Sequence, residues 1–377
     1  MDELRVVPVE SNRDLDAFVA FPYALHRRDP LWVPQLRRDV KAMLVPKSNP
    51  FFEHADARYF LARRGARIVG RIAAIENRSH NEIHEDRVGF FGFFECEDDR
   101  AVAAALFDAA AGWLRARGLT VLRGPASPSV NDELGLLVDG LDTPPTLMMP
   151  HNPRYYVGLV EGAGFVKAKD LLVYQSLAAN ADLDSPLLNR LRHGADLLAK
   201  RYHISVRPID PRHFDQEVAL IKELYNQAWE RNWGFVPLTE HEIDHVAAQL
   251  KQIMVPDLVM FAYCRDKPIG FAVALPDLNV ALKKNPSGRL FPGILKVLWA
   301  ARKVHRLRIL LLGSIPEWRG KGVDALMYRH IWERGMARGF NWGEAGWILE
   351  DNGPMNNAME RIGFVVYKRY RLYDRPV

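Results

Sequence analysis

Two stretches of this chain repeat each other at an offset of about 200 residues, and no other feature restricts the fold as much. Tyr59-Phe60-Leu61-Ala62 through Ile68-Val69-Gly70 matches Val259-Met260-Phe261-Ala262 through Pro268-Ile269-Gly270, each reading as a strand, a charged turn and a second strand. Further on, Glu161, Gly164-Phe165-Val166, Lys169 and Tyr174 correspond to Glu360, Gly363-Phe364-Val365, Lys368 and Tyr373. Each half also carries an amphipathic helical pattern ending in Arg-Gly, at 101–118 and at 325–339. Strands and helices that alternate in this way, twice over, are expected to give an α/β chain made of two copies of one fold. The boundary is expected in the Ala/Asn/Asp-rich stretch 176–186, dividing the chain into domains 1–178 and 187–377.

A length of 377 residues agrees with two domains, and 48% apolar residues are enough for a sizeable core in each. Cys96 and Cys264 lie far apart and outside any Cys-x-x-Cys pair, which argues for a reducing compartment and against a structural zinc or a disulfide framework. The acidic start Met1-Asp2-Glu3 lacks the apolar stretch of a signal peptide, and no run approaches the length of a membrane span. The protein is therefore expected to be cytoplasmic.

Chemistry concentrates at Arg319-Gly320-Lys321-Gly322-Val323-Asp324. This segment leaves an apolar run ending at Ile315 and opens a helical pattern, so its glycines and the unpaired N–H groups of the helix start form a grip for an anion. It lacks the spacing and the hydroxyl of a Walker loop, so ATP or GTP hydrolysis is not supported. It resembles the pyrophosphate loop of the GNAT acetyltransferases, Arg/Gln-x-x-Gly-x-Gly/Ala, with Asp324 where that family carries Gly or Ala. A carboxylate there opposes a diphosphate unless it turns aside to cap the helix.

Downstream, Gly343 to Glu350 reads as a strand, Asp351-Asn352 as a turn before a helix, and Gly363-Phe364 as the opening of a last strand. In GNAT proteins an Asn eleven residues before a Gly-Phe pair contacts the cofactor arm, and Asn352 holds that position. The resemblance implies two tandem GNAT-like domains, each a mixed, mostly antiparallel sheet flanked by helices, with acyl-CoA as co-substrate and no metal. It assigns the oxyanion to backbone amides near Leu312 and Gly313, and the general base to Glu344, Glu350 or Asp351. The tyrosine that many GNAT enzymes supply four residues before the Gly of Gly-Phe is replaced by Met359, leaving Tyr367, Tyr370 or solvent to protonate the leaving thiolate.

The first half departs where chemistry matters. Glu97-Asp98-Asp99-Arg100 stands in place of the phosphate loop, acidic and without glycine, so this half is expected to bind no nucleotide. Its stretch Gly124-Pro125-Ala126-Ser127-Pro128-Ser129-Val130-Asn131-Asp132-Glu133 is polar and turn-rich and reads as a surface loop, with Asn131 and Glu133 as substrate-site candidates. Trp229, Trp233, Phe235 and Trp347 are the candidate apolar walls for an acceptor.

Between Leu278 and Pro316 there is no acidic residue, yet Lys283, Lys284, Arg289, Lys296, Arg302, Lys303, Arg306 and Arg308 lie there. These eight outnumber the net charge of the whole chain, +5, so the remainder is net negative. Ile294, Val297, Leu298, Ala301 and Val304 fall at helical spacing, with Trp299 and the cations on the other side. The pattern fits either peripheral contact of 283–308 with an anionic membrane, such as the inner face of a bacterial inner membrane, or a helix packed on its own domain. Nucleic acid is not supported, because interleaved aromatics and reader motifs are missing.

His241-Glu242-Ile243-Asp244-His245 matches H-E-x-x-H but has no third ligand, and reads as a solvated helix face. His80 and His84 read as an exposed loop or helix end. Over nearly its whole length the chain resembles bacterial tandem-GNAT proteins similar to the ceramide synthases, through Gly124 to Glu133, Pro316 to Gly322 and Trp347 to Asn352. That resemblance implies transfer of a long-chain acyl group to a sphingoid-type amine. An acetyltransferase acting on a small amine or protein lysine and a non-catalytic acyl-CoA-binding protein are the alternatives.

Overall fold

The computed structural model describes residues 3–176, 184–229 and 233–377. The N-terminal half runs β1 (Leu4–Pro8), α1 (Asn12–Leu25), α2 (Arg37–Leu44), β2 (Ala55–Arg64), β3 (Arg67–Asn77), α3 (Arg78–His84), β4 (Val88–Cys96), α4 (Arg100–Arg115), β5 (Val121–Gly124), β6 (Ala126–Ser127), β7 (Glu133–Leu134), β8 (Leu136–Asp139), α5 (Tyr155–Gly162) and β9 (Val166–Ser176). The C-terminal half continues α6 (Pro186–Tyr202), β10 (Ile204–Pro208), α7 (Phe214–Trp229), α8 (Glu240–Lys251), β11 (Val259–Cys264), β12 (Lys267–Pro276), α9 (Asn279–Leu282), α10 (Gly293–Ala301), β13 (Arg306–Ser314), α11 (Val323–Ala337), β14 (Trp342–Leu349), α12 (Gly353–Arg361) and β15 (Phe364–Pro376).

The repeat extends to backbone detail. In the hairpin β2–β3, Ala62 pairs with Gly70 and the register then slips by one residue. In β11–β12, Ala262 pairs with Gly270 and slips at the same place. Both glycines are required by packing: a Cβ on Gly70 would lie 2.7 Å from Leu106 of α4, and one on Gly270 would lie 2.8 Å from the Gly313 carbonyl.

Two compact units result, and they do not divide at 178/187. One comprises Met1–Leu171, Asn279–Arg302 and Lys368–Val377; the other comprises Leu172–Leu278 and Lys303–Tyr367. The reason is that β9 and β15 each begin in one unit and end in the other, while the basic insertion after β12 leaves the second unit altogether. Of the expected boundary stretch, residues 177–183 lie outside the described residues.

In the first unit the strand order is β1-β2-β3-β4-β5-β15-β9, with only β4 and β5 parallel among the pairs whose register is defined. Helix α4 lays Val102, Leu106, Phe107, Ala110 and Leu114 on it, against Phe91, Phe94 and Phe165. The insertion is built into this unit: the Asn279 side chain donates to the carbonyls of Pro145 (3.1 Å) and Thr146 (2.7 Å), and Arg37 N–H donates to Gly288 O (2.8 Å). His80, expected at an exposed end, is buried in α3 with its ring against His84 and Phe90.

In the second unit the order is β9-β14-β13-β12-β11-β10, with only β13 and β14 parallel among the pairs whose register is defined. Helix α11 buries Leu326, Met327, Tyr328 and Ile331.

Candidate active site in the C-terminal half

The parallel ladder between β13 and β14 is short. It runs from Arg306 opposite Trp342 to Ile309 opposite Ala345 and stops there, while β13 continues against β12 as far as Ser314 opposite Gly270. A register slip in the β12–β13 pairing, between Val273 and Ala274, falls where the parting begins. Beyond it, the main chain of Leu310 to Ser314 forms one edge of a wedge and that of Gly346 to Leu349 the other, which puts Leu312, Gly313 and Trp347 on its margins, all half-buried.

At the end of β13 the buried Ile315 donates its N–H to Ile269 O (3.0 Å) and fixes the exit of the chain into a short turn, Pro316–Trp318. Gly320 (φ 70°) and Gly322 (φ 80°) are both left-handed, a conformation that costs an L side chain about 1–2 kcal/mol, so the glycines are required by the path of the turn. Gly322 is the N-cap of α11, and among the described residues no side chain caps that helix. The first-turn N–H groups and the positive end of the helix dipole are therefore available to an anion. Asp324 stands in the first turn and does not cap it. Arg319 reaches back to the Ala228 carbonyl (3.0 Å), and the Lys321 ammonium lies 4.7 Å above the Trp318 ring.

The twin helix in the first unit is arranged the other way. Asp99 caps α4, accepting from the N–H groups of Ala101 (2.9 Å) and Val102 (3.3 Å), and it pairs with Arg64 at 2.6 Å. The parting of β4 from β5 after Phe90 is also covered by the chain itself: Phe93 N–H donates to Ser127 Oγ (2.9 Å), and a Cβ on Gly92 would lie 1.9 Å from Ala126 O. Ala126, Ser129 and Val130 are buried, so the segment expected as a surface loop is interior. Asn131 donates its backbone N–H to Ser129 Oγ (3.1 Å), and Glu133 pairs with Ser127 in the β6–β7 ladder; both belong to this first unit.

The remaining candidates divide by environment. Glu344 is fully buried opposite Arg308, with 3.4 Å between carboxylate and guanidinium, and the Tyr367 hydroxyl donates to it. Arg308 in turn donates to Gly346 O (3.0 Å), so this group ties the two strands together just where they part. Glu350 follows β14 half-buried and Asp351 is exposed. Asn352 is the N-cap of α12 and accepts from Met355 N–H (3.3 Å). Tyr370 belongs to the first unit, where it is buried and donates to Pro150 O (3.1 Å). Phe235 is buried against Tyr225 and Trp233 is half-buried; the Trp229 side chain lies outside the described residues.

Met359 is fully buried and its sulfur accepts from the Tyr328 hydroxyl (3.2 Å). Burial pushes the Tyr328 phenol well above its ordinary range, so it stays protonated. The H-E-x-x-H helix spends Glu242 in a capping box with Thr239, and His245 meets Gln249 at 2.7 Å.

No family model matches the chain. It is 38% identical over 383 residues to a protein of Caulobacter vibrioides (strain NA1000 / CB15N) named bacterial ceramide synthase, covering 100% of this chain and 98% of that one. It is 37% identical over 374 residues to Protein YghO of Escherichia coli (strain K12), covering 97% and 94%. Among solved structures it superposes on a tandem GNAT protein from the clavulanic acid biosynthesis pathway, with TM-score 0.59, 15% identity, and 99% and 98% coverage. A GCN5-related N-acetyltransferase from Sphaerobacter thermophilus gives TM-score 0.52 at 12% identity, with 99% and 95% coverage. The chain belongs to the tandem GNAT N-acyltransferases.

As a member of this family it is an N-acyltransferase. The sequence counted Arg308 only among the cations of the basic stretch, whereas it is buried in β13 opposite Glu344, and Tyr328 sits in the buried stripe of α11, where nothing in the sequence separates it from a core tyrosine. The apolar cleft lined by Leu307, Ile309, Trp332, Met336, Trp342 and Phe364 involves the C-terminal part of α11, the far end of that helix from Gly322.

Proposed function

We propose that this enzyme transfers a long-chain acyl group from acyl-CoA to the primary amine of a sphingoid-type lipid. Identity of 38% along the whole chain to a protein named for ceramide synthesis carries the reading of the acceptor. The uncapped start of α11, against the self-capped start of α4, supports the location of the co-substrate.

In this reading the amides of Gly320 to Asp324, with Arg319 and Lys321, take the diphosphate. Asn352 lies along the cofactor arm. The thioester enters between β13 and β14, with its carbonyl oxygen toward the backbone amides near Leu312 and Gly313. Glu350 removes a proton from the ammonium, with Asp351 behind it, because Glu350 is half-buried at the end of β14 where an amine can approach, while Glu344 is fully buried. The amine nitrogen then bonds to the acyl carbon, the carbon–sulfur bond breaks, and the proton that the nitrogen sheds in becoming an amide passes through water to the CoA thiolate. Trp233, Phe235 and Trp347 supply apolar contact for the lipid.

The test is thiol release from acetyl-CoA and from palmitoyl-CoA, each offered with sphinganine and with a polar amine. Release is expected with palmitoyl-CoA and sphinganine; release with acetyl-CoA and the polar amine alone would replace this reading by that of a small-amine acetyltransferase. Glu350→Gln should lower kcat about 10²–10⁴-fold at unchanged acyl-CoA affinity. Full activity in that variant would remove Glu350 as the base.

A further inference from the structure

We infer that the insertion between β12 and β13 is a docking finger for an anionic lipid bilayer, in which Phe291, Leu295, Leu298 and Trp299 enter the headgroup–acyl boundary and the surrounding lysines and arginines meet lipid phosphates. The inference rests on the exposure and charge of this segment and not on the acceptor proposed above.

The four side chains are 71%, 63%, 58% and 60% exposed, a concentration of large apolar surface within nine residues. They fall at i, i+4, i+7 and i+8, one side of α10 and the turn before it. The expected assignment of faces is corrected here: the inner stripe is Gly293, Val297 and Ala300, and Leu298 points outward. The expected helix is also shorter than its pattern, because Arg306 lies in β13 and pairs with Asp277.

The finger is rigidly built. The buried Asn285 donates to Arg289 O (2.8 Å) and accepts from Ser287 Oγ (2.9 Å). A Cβ on Gly293 would lie 2.2 Å from the Asn285 side chain, which sets the close approach of α10 to its own turn. Asn279 and Gly288 anchor the base of the insertion in the first unit, the Gly288 position lying 2.3 Å from the Tyr23 ring for any added Cβ.

Charge selects the occupant. Lys283, Lys284, Arg289, Lys296 and Arg302 are all exposed in a segment that contains no Asp or Glu. A second copy of the same face would bring these cations against one another, whereas an anionic lipid surface complements them. Nine helical residues span only about 14 Å, far short of the roughly 30 Å hydrocarbon core, so α10 lies in the interface plane and does not cross. Among the described residues no helix is long and apolar enough to cross a membrane.

The experiment is flotation of the full chain with vesicles of phosphatidylcholine and with the same vesicles containing phosphatidylglycerol, at low and high salt, without acyl-CoA or amine. The parent chain is expected to float with the phosphatidylglycerol vesicles and to lose binding as salt rises. Leu295→Glu combined with Leu298→Glu should abolish flotation, and Lys283→Ala, Lys284→Ala and Arg302→Ala together should weaken it on the order of 100-fold. Because every substituted side chain is exposed, the thermal unfolding midpoint should not move in either variant. Equal flotation by the parent and both variants would overturn the inference. So would a parent dimer, seen in sedimentation, that the glutamate pair dissolves while vesicle binding is absent throughout.

Discussion

Gly320→Ala isolates the turn at the start of α11 from everything else in the molecule. Nothing lies within 4 Å of the place where the added methyl would stand, so the substitution carries no clash and its whole cost is the left-handed backbone at φ 70°, about 1–2 kcal/mol. That energy has two outlets. If the turn holds its shape, the fold loses stability by the same amount. If the turn relaxes to negative φ, its amides rotate away from the diphosphate and the cost appears in acyl-CoA binding. Arg319, Gly320 and Lys321 are exposed, so relaxation is the easier path and should dominate. Calorimetric titration with CoA and steady-state KM for acyl-CoA should then both rise about 5–30-fold, the factor corresponding to 1–2 kcal/mol, with little change in Tm. Gly118→Ala is the control, since Gly118 has φ 78°, equally open space and a place beyond the end of α4 in the first unit. It should lower stability and leave KM untouched. An unchanged CoA affinity in Gly320→Ala, or an equal rise in Gly118→Ala, would refute the assignment of the turn.

Glu344→Gln leaves Arg308 buried without its counter-charge and should cost about 3–5 kcal/mol in urea denaturation, with turnover per folded molecule retained; lost turnover at an unchanged midpoint would instead make Glu344 the reacting carboxylate. Burial alone would raise the Asp170 carboxyl, but hydrogen bonds from Arg371, Arg369 and Lys167 outweigh it and bring it down to about 2. A carboxyl depressed in the folded state stabilises above its unfolded value and loses that contribution as pH falls from about 4 to about 2, roughly 1–2 kcal/mol after allowance for the water around its partly exposed arginines. Asp170→Asn should be less stable at neutral pH and flatter over that acid window; identical stability–pH curves would exclude the linkage. Gly92→Ala places a methyl 1.9 Å from a backbone oxygen and should destabilise the first unit by about 1–3 kcal/mol in thermal unfolding, with CoA affinity kept.

Much of the fold was legible because its signals are local. The hairpins announce themselves by alternating apolar residues around a charged turn, and Gly70 and Gly270 stand out because only glycine admits the neighbouring helix or strand. The turn at 319–324 was legible for the same reason, two glycines at left-handed positions ahead of a helical stripe. What stayed hidden depends on distant partners. Glu344 reads as a strand carboxylate until Arg308, thirty-six residues earlier, is found across the ladder. Segment 124–133 looks like surface from its Ser, Pro and Asn content. Its hydroxyls in fact bond part-buried groups, Ser127 at Phe93 N–H and Ser129 at Asp132. Nor does any local pattern say that β9 and β15 pass from one unit into the other, because a strand carries the same alternation on both sides of such a crossing.

The two helix starts differ in the sense that the proposed binding of the co-substrate in one copy of the duplicated fold requires. The N-cap of α4 is Asp99 and the N-cap of α11 is Gly322. An aspartate at that position satisfies the first amides itself and is worth about 1 kcal/mol to the helix, yet the same carboxylate repels a diphosphate and occupies its donors. A glycine forgoes that stabilisation and leaves the amides to be satisfied from outside. Closure of β4 by Ala126 and Ser127 acts in the same sense, since the edge where a thioester would lie in the second unit is met by the chain's own hydroxyl in the first. A helix start without a capping side chain, beside strands that part after four paired residues, leaves N–H donors for water or for a ligand with anionic oxygens. The acyl-CoA diphosphate has that chemistry, and in the proposed reading it takes the place at α11 that Asp99 fills at α4.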